Sequence, residues 1–432
     1  MTIFALSTVE GHSGVAIIRV SGPKAKKTIK LLTGKNTKPR QATLTNISTR
    51  KNELIDKGLV IYFPKENSFT GEEVAEYHLH GSPAVANLLL SELDKIQGLR
   101  HAKPGEFTKQ AFLNDKMNIL QVEGLSNLIK SETETQRNQS LKQYLKESTK
   151  IYFDWLEGLK TVLALVETSI DFSDEDIPKS LIMDAKRKTK KVISKIRDHK
   201  KTFKQGKAIN EGLKIAILGK PNSGKSTLIN YLSRKKIAIV SKEAGTTRDI
   251  ITNKVDFNGI PVTFYDTAGL RNTKNEIEEE GKKMAKELSK TADLRIFIGS
   301  NNTEQPFKGV NIPKEKGDLI VINKCDLKKA HKEKPNITIS LKDKIGLKGL
   351  NSKISKRIKE LSNQYSGQVI SSERVYGHVC NSLSHLEEIN FKDPSLVSEC
   401  LKSSISEISM ISKETNNEEI LDIIFNEFCI GK

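Results

Sequence analysis

The run Leu213-Lys214-Ile215-Ala216-Ile217-Leu218, followed at once by Gly219-Lys220-Pro221-Asn222-Ser223-Gly224-Lys225-Ser226, leaves few folds open to this chain. A short, nearly continuous apolar run bounded by glycine is a buried-strand pattern. The eight residues after it match GxxxxGK[ST], in which glycines let backbone N–H groups wrap phosphates at a helix N-terminus. A strand, a phosphate loop and a helix in that order predict a doubly wound α/β domain. Lys225 is expected to reach the β- and γ-phosphates, and the Ser226 hydroxyl to hold Mg²⁺. Ser223, Gly224 and Thr227 are expected to complete the nucleotide cradle.

Three further motifs follow in order. Asp266-Thr267-Ala268-Gly269 comes after the strand-like Val262-Thr263-Phe264-Tyr265. Asp266 is expected to support the Mg²⁺ shell, and the Gly269 N–H to sense the γ-phosphate. Asn323-Lys324-Cys325-Asp326 follows another strand pattern, Leu319-Ile320-Val321-Ile322, and reads as NKxD. A carboxylate at Asp326 accepts from guanine N1–H and its exocyclic amine, a donor pair adenine lacks, so the nucleotide is GTP. Gly245-Thr246-Thr247-Arg248-Asp249 lies where a γ-phosphate-sensing switch belongs, with Thr247 the second Mg²⁺ hydroxyl. Ser340-Leu341-Lys342 stands where GTPases usually carry Ser-Ala-Lys; the larger Leu341 tests how closely that loop fits the base.

Residue 270 is Leu, not the glutamine that Ras-type switches use to orient water. Asn222 offers a carbonyl oxygen beside the phosphates that suits a monovalent cation. The run Glu276-Ile277-Glu278-Glu279-Glu280 could orient water, although its chemistry alone is better explained by an acidic first helical turn.

The remainder of the chain divides by pattern. Residues 1–117 mix short β-like runs, Val15 to Val20 and Gly58 to Phe63, with turn residues, and predict a small α+β domain. Residues 118–211 are helical in pattern, with Pro178 their one proline. Residues 212–367 are the α/β domain, and 368–432 return to a helical pattern; a helical region so interrupted implies one discontinuous helical domain with an insertion. Between Lys186 and Lys207 eleven Lys/Arg face one Asp, with Val192, Ile193 and Ile196 as an apolar stripe. This segment reads as a solvated helix face or as an RNA-binding one. The net charge of +18 leaves the same choice between a polyanionic partner and a lysine-rich compositional bias. Cys325, Cys380, Cys400 and Cys429 show no CxxC spacing, which points to a reducing, cytoplasmic setting rather than a zinc site or disulfide framework. No apolar run is long enough to span a bilayer, and the N-terminus has no secretory pattern. His78 and His80 fit alternation on a strand better than a metal pair.

The chain resembles the MnmE (TrmE) family of tRNA-modification GTPases over nearly its whole length. IIRVSGP (Ile17 to Pro23), SFTGEEVAEYHLHG (Ser68 to Gly81), KPGEFTKQAFLNDKMNILQVEGL (Lys103 to Leu125) and DFSDEDI (Asp171 to Ile177) look like family blocks. GTTRD and DTAGLR do so in the α/β segment, and the terminal FCIGK is the most specific. The early loop Thr8-Val9-Glu10-Gly11-His12-Ser13-Gly14 departs from the family's Pro-Pro-Gly pattern. The resemblance implies an N-terminal tetrahydrofolate-binding and dimerisation domain, a discontinuous all-α domain and an inserted Ras-like G domain. It implies a homodimer that works on tRNA with an FAD-bearing partner, MnmG (GidA), in a heterotetramer, away from membranes. The product would be an aminomethyl or carboxymethylaminomethyl group on carbon 5 of the wobble uridine. The one-carbon unit would come from methylene-tetrahydrofolate, with 5-formyl-tetrahydrofolate as a related ligand, and GTP hydrolysis would be activated by K⁺.

By position, the resemblance assigns Arg19, Glu76, Lys116 and the terminal Lys432 to folate. It assigns Asn222 and the loop Ser241 to Thr246, including Glu243, to K⁺, and Glu278 to water orientation. It brings the tail to the folate site, with Cys429 near the one-carbon unit; the thiol is then either a nucleophile or a small packing residue. Gly431 suits a close backbone approach. Two other functions compete: an Era-like ribosome-assembly GTPase that acts as a binding switch, and a regulatory GTPase that has lost modification activity. The N-terminal blocks and FCIGK fit only the modification enzyme.

Overall fold

The computed structural model describes residues 1–171, 179–235, 252–266, 287, 289–310, 312–362, 367–412, 418–426 and 428–431. Its backbone packing forms two compact units. The first gathers Met1–Ser126, Gln143–Tyr152 and Ser409–Lys432; the second gathers Asn127–Lys142 and Phe153–Ile408.

In the first unit, β1 (Thr2–Leu6), β2 (Ser13–Ser21), β3 (Thr43–Ser48), β4 (Leu54–Phe63), β5 (Val74–Gly81) and β6 (Leu99–His101) form a sheet of order β3-β4-β5-β2-β1-β6. Strand alternation sorts its two faces. Ile18 and Val20 of β2, and Ala75, Tyr77 and Leu79 of β5, point into a core. That core is closed by α1 (Ala25–Thr33) and α2 (Pro83–Asp94). Tyr77 is wholly buried there and shares a 2.7 Å hydrogen bond with the Thr28 hydroxyl. The opposite face carries Arg19, Glu76 and His78, and Ile3 and Ala5 pack on that side with Phe107 of α3 (Glu106–Leu113).

Helix α4 (Ile119–Lys130) opens with a reciprocal cap: Gln121 N–H donates to Asn118 Oδ1 at 2.9 Å, and Asn118 N–H to Gln121 Oε1 at 3.2 Å. Helix α5 (Glu134–Tyr144) repeats the device with Thr133 and Gln136. Helices α6 (Glu147–Asp171), α7 (Lys179–Lys200) and α8 (Phe203–Glu211) follow. The basic stretch is thus two helices, not one; it breaks at Lys201-Thr202. The buried stripe of α7 is Ala185, Thr189, Val192 and Ile196, at spacings of four, three and four, with Ile193 only half-buried.

The second sheet is built from β7 (Leu213–Leu218), β8 (Thr252–Phe257), β9 (Ile260–Asp266), β10 (Leu294–Ser300), β11 (Leu319–Asn323) and β12 (Ile337–Thr338). Its order is β12-β11-β10-β7-β9-β8, parallel except where β8 pairs antiparallel with β9. Ile215 and Ile217 face a core shared with α9 (Lys225–Lys235) and α10 (Leu347–Ser362), whereas Ala216 and Leu218 face Phe297 on the other side. Ala208 and Ile209 of α8, and Val369, belong to that same core. The helical segments therefore grip the α/β sheet where the chain enters and leaves it. Gly206 makes the grip possible, since a Cβ there would overlap the Ile370 carbonyl. The loop before α5 adds an ion pair from Glu132 to Lys254 of β8. Helix α11 (Glu373–Glu387) packs on α7 and meets α12 (Pro394–Ser412) through a 2.7 Å contact of the Ser382 and Ser404 hydroxyls.

The tail belongs to the first unit. Leu421 and Phe425 of α13 (Glu418–Asn426), with Phe428, pack against Ala111, Phe112, Met117, Ile119 and Val122. Lys109 Nζ donates to Asp422 Oδ1 at 2.8 Å. Gly105, at φ 65° just before α3, lets the Phe425 carbonyl come within the space of its missing Cβ.

Candidate functional site

The phosphate loop sits at the carboxyl end of the parallel sheet, where open α/β sheets bind ligands. Gly219 leaves β7 against the Ile298 carbonyl of β10, with no room for a Cβ. Asn222 takes φ 61° and Gly224 φ 102°, the left-handed turns that curl successive N–H groups into one concavity. Lys225 is 5% exposed, and its ammonium donates to the Gly219 and Lys220 carbonyls at 2.8 and 2.9 Å. Those bonds hold the charge inside the loop. Ser226 and Thr227 lie in the first turn of α9 with exposed side chains, at the edge where Mg²⁺ and phosphate would bind. The backbone of Asp266 ends β9 opposite Ile217, which puts it at the same edge. A cradle closed to Cβ atoms, a captive ammonium and exposed Ser226 and Thr227 side chains fit a nucleoside triphosphate with its Mg²⁺.

The base end of the site is tied to the phosphate end by one side chain. Asn323 is 4% exposed; its Nδ2 donates to the Ser223 carbonyl at 3.0 Å, and its Oδ1 accepts from Leu341 N–H at 3.1 Å. Asn323 therefore acts as a brace between loops. Ser340 is fully buried; its hydroxyl donates to Asp326 Oδ1 at 2.7 Å and accepts from Asp343 N–H at 3.1 Å. That Ser340 hydrogen bond, with Lys342 and Lys324 nearby, holds the Asp326 carboxyl below its usual range. Asp326 is thus an ionised, pre-aimed acceptor at neutral pH. Lys324 adopts φ 66° as the loop turns. Leu341 packs on the sheet core, with its Cδ1 3.3 Å from where a Gly224 Cβ would stand. The larger side chain thus fills space over the phosphate-loop glycine.

Of the remaining nucleotide-site expectations, Ser241, Glu243, Thr246, Thr247, Gly269 and Glu278 lie outside the described residues.

In the first unit, Arg19 and Glu76 are register partners on β2 and β5. Arg19 Nε donates to Glu76 Oε1 at 3.0 Å, and His78 Nε2 lies 3.2 Å from Glu76 Oε2. Burial opposes the Glu76 charge, but the His78 hydrogen bond and the Arg19 charge outweigh it and hold the carboxyl below its usual range. The Arg19 guanidinium lies 5.5 Å from the Phe69 ring centre and 5.6 Å from that of Phe107. An ion pair whose guanidinium lies near two aromatic rings suits a flat, polar-edged ligand such as a pterin. The sequence placed His78 only in strand alternation with His80 and did not single out Phe69 or Phe107; residue 78 follows 76 by two on a strand, which was the available signal for its contact with Glu76. His80 instead pairs with Asp56 at 2.9 Å. Lys116 is exposed, with Nζ on the Glu66 carbonyl at 2.9 Å.

The end of the chain returns to this sheet. Gly431 is buried at φ 96°, and a Cβ there would overlap the Leu6 carbonyl. Leu6 follows Ala5, the register partner of Arg19. Cys429 is a free, exposed thiol, and Phe428 beside it is buried. Lys432 lies outside the described residues. Among the described residues no cluster of three or more His, Cys, Asp or Glu could hold a metal, and no helix is long and apolar enough to cross a membrane.

Residues 119–429 match the family model described as the MnmE helical domain, and residues 2–116 match that of the GTP-binding protein TrmE N-terminus. Relatives named tRNA modification GTPase MnmE match over the whole of this chain. That of Pelagibacter ubique is 42% identical over 444 residues, and that of Rickettsia prowazekii 38% over 445; each alignment covers 100% of both chains. That of the Wolbachia of Drosophila simulans is 39% identical over 440 residues, covering 100% of this chain and 99% of the relative.

Proposed function

The chain belongs to the MnmE family of tRNA modification GTPases, and from that membership we propose that it couples GTP hydrolysis to one-carbon chemistry on tRNA. In this reading residues 1–117 bind the folate and pair with a second copy. Residues 118–211 and 368–432 form the helical domain, and 212–367 the GTPase. Lys225 and the loop N–H groups bind the phosphates, Ser226 and Thr247 hold Mg²⁺, and Asp326 reads guanine. Asn222, Ser241, Glu243 and Thr246 enclose K⁺, and Glu278 orients the attacking water. Arg19, Glu76, Lys116 and Lys432 take a tetrahydrofolate derivative whose one-carbon unit lies near Cys429. MnmG, carrying FAD, completes the reaction at carbon 5 of the wobble uridine, in the cytoplasm.

The observation that carries this reading is the seat of the tail: Gly431 against Leu6, one residue from the strand partner of Arg19. A GTPase that only switches binding partners has no use for a tail seated on the strand next to Arg19, whose guanidinium pairs with Glu76 and lies near two aromatic rings. The Era-like alternative leaves that arrangement unexplained. The test is mass spectrometry of tRNA nucleosides from cells lacking the protein. Loss of aminomethyl-type wobble uridines, restored by the wild-type chain, is the expected result. Unchanged wobble uridines would overturn it.

A further inference from the structure

We propose that the exposed face of α7 docks the phosphate backbone of tRNA, an inference that rests on the family reading above for the identity of the RNA. The helix buries Ala185, Thr189, Val192 and Ile196 and half-buries Ile193 and His199, and the remaining side of it faces outward. Past Ile182, Met183 and Asp184, the outward arc from Lys186 to Lys195 is basic except at Ser194. The helix's few acidic residues are locally matched: Arg187 pairs with Asp184 at 3.0 Å and Lys201 with Asp198 at 2.8 Å. Arg197 reaches Glu387 of α11 at 2.7 Å. Lys186, Lys188, Lys190, Lys191 and Lys195 are exposed and stand in no ion pair among the described residues. They span about 14 Å along the helix axis at 1.5 Å per residue.

A merely solvated helix interleaves charges of both signs, because like charges four residues apart repel. Here Lys186 and Lys190, Arg187 and Lys191, and Lys191 and Lys195 all repeat at that spacing. A ridge of uncompensated lysines on a rigid helix is what a polyanion relieves, and RNA phosphates gain by releasing their counterions to it. No aromatic side chain interrupts the arc, so the contact is to backbone rather than to bases, and sequence choice lies elsewhere.

The test measures binding of fluorescently end-labelled, unfractionated bacterial tRNA to the full chain over a series of KCl concentrations. The wild type is compared with K188Q/K191Q/K195Q and with K27Q/K30Q/K35Q, which removes the same charge from α1 and the turn after it. The α7 variant should bind at least about tenfold more weakly at low salt. Its slope of log K against log salt should flatten by roughly 2 to 3, at 0.7–0.9 per lost phosphate contact. The α1 variant should keep the wild-type slope, and K188R/K191R/K195R should restore it. Equal slopes for the two glutamine variants, or a wild type whose tRNA binding ignores salt, would overturn the docking surface. The nucleoside assay reads the modification activity separately, so the two readings can fail independently.

Discussion

At the residue scale, the guanine specificity proposed for Asp326 rests on how that carboxylate is held. The Ser340 hydroxyl fixes one carboxylate oxygen, and the same contact favours the charged form that a two-donor base edge requires. Replacing Asp326 by Asn keeps the shape and turns half of the acceptor into a donor. A hydrogen bond to a charged group contributes ~1.5–3 kcal/mol. Asp326→Asn should therefore lower GTP affinity at least about tenfold and favour xanthosine nucleotides, as read by competition with a fluorescent nucleotide. Unchanged GTP affinity would remove Asp326 from base recognition. The identity of this residue was legible because NKxD is contiguous. Its orientation was not, because Ser340 lies fourteen positions on and Asn323 spans a hundred residues to Ser223. Arg19 and Glu76 were joined in the sequence only through the family resemblance; the register of β2 against β5 is what brings residue 19 to residue 76, and the His78 contact went unread.

At the element scale, two competing effects meet at Gly206 in α8. Helix propensity favours Ala over Gly by ~1 kcal/mol in a helix interior. Against this, a Cβ at Gly206 would overlap the Ile370 carbonyl, backbone that also lies within reach of Thr202, whose hydroxyl accepts from Ile370 N–H at 3.1 Å. Backbone held by such a bond cannot yield as a flexible side chain can, so the clash wins. Gly206→Ala should destabilise the protein by ~2 kcal/mol or more, seen as a lower denaturation midpoint; a stabilised variant would contradict this packing. A second element-scale prediction concerns α6 and α7. His199 lies edge-on to Trp155 at 5.4 Å, and burial lowers its pKa to about 4. The folded value lies below the unfolded one, so the neutral ring's contribution is complete above about pH 6.5. That contribution falls away between about 6.5 and 4. His199→Phe should flatten the loss of stability over that window in a series of chemical denaturations, and an unaltered pH profile would place the acid sensitivity elsewhere. Strands and helices themselves were readable from alternation and period. The break at Lys201-Thr202 was not, because the lysine-rich composition carries on unchanged through it.

At the scale of the whole molecule, the phosphate loop and the Arg19–Glu76 pair lie in different compact units, and the last described residues belong with the first. The sequence carried a hint of this in the identity of the tail: a glycine one residue from the terminus is needed only where backbone must approach backbone. What the sequence could not supply was the surface approached, since Leu6 lies more than four hundred positions away. The arrangement makes the functions separable by a small change. At Gly431 an added methyl meets two obstacles, a φ of 96° and the Leu6 carbonyl, and the carbonyl cannot move without disturbing β1. Gly431→Ala should therefore unseat the tail while Leu421, Phe425 and Phe428 keep α13 in place through their own buried contacts. The expected outcome is weaker binding of 5-formyl-tetrahydrofolate and lower tRNA modification, with the affinity for GTP unchanged, because Lys225, Asn323 and Asp326 all lie in the other unit. Cys429→Ser distinguishes seating from chemistry. It leaves Gly431 on Leu6, so folate binding should persist, and modification should fall only if the thiol reacts. Full modification by Cys429→Ser together with loss of modification in Gly431→Ala would make the tail a positioning device and leave the one-carbon transfer to the folate and the partner enzyme.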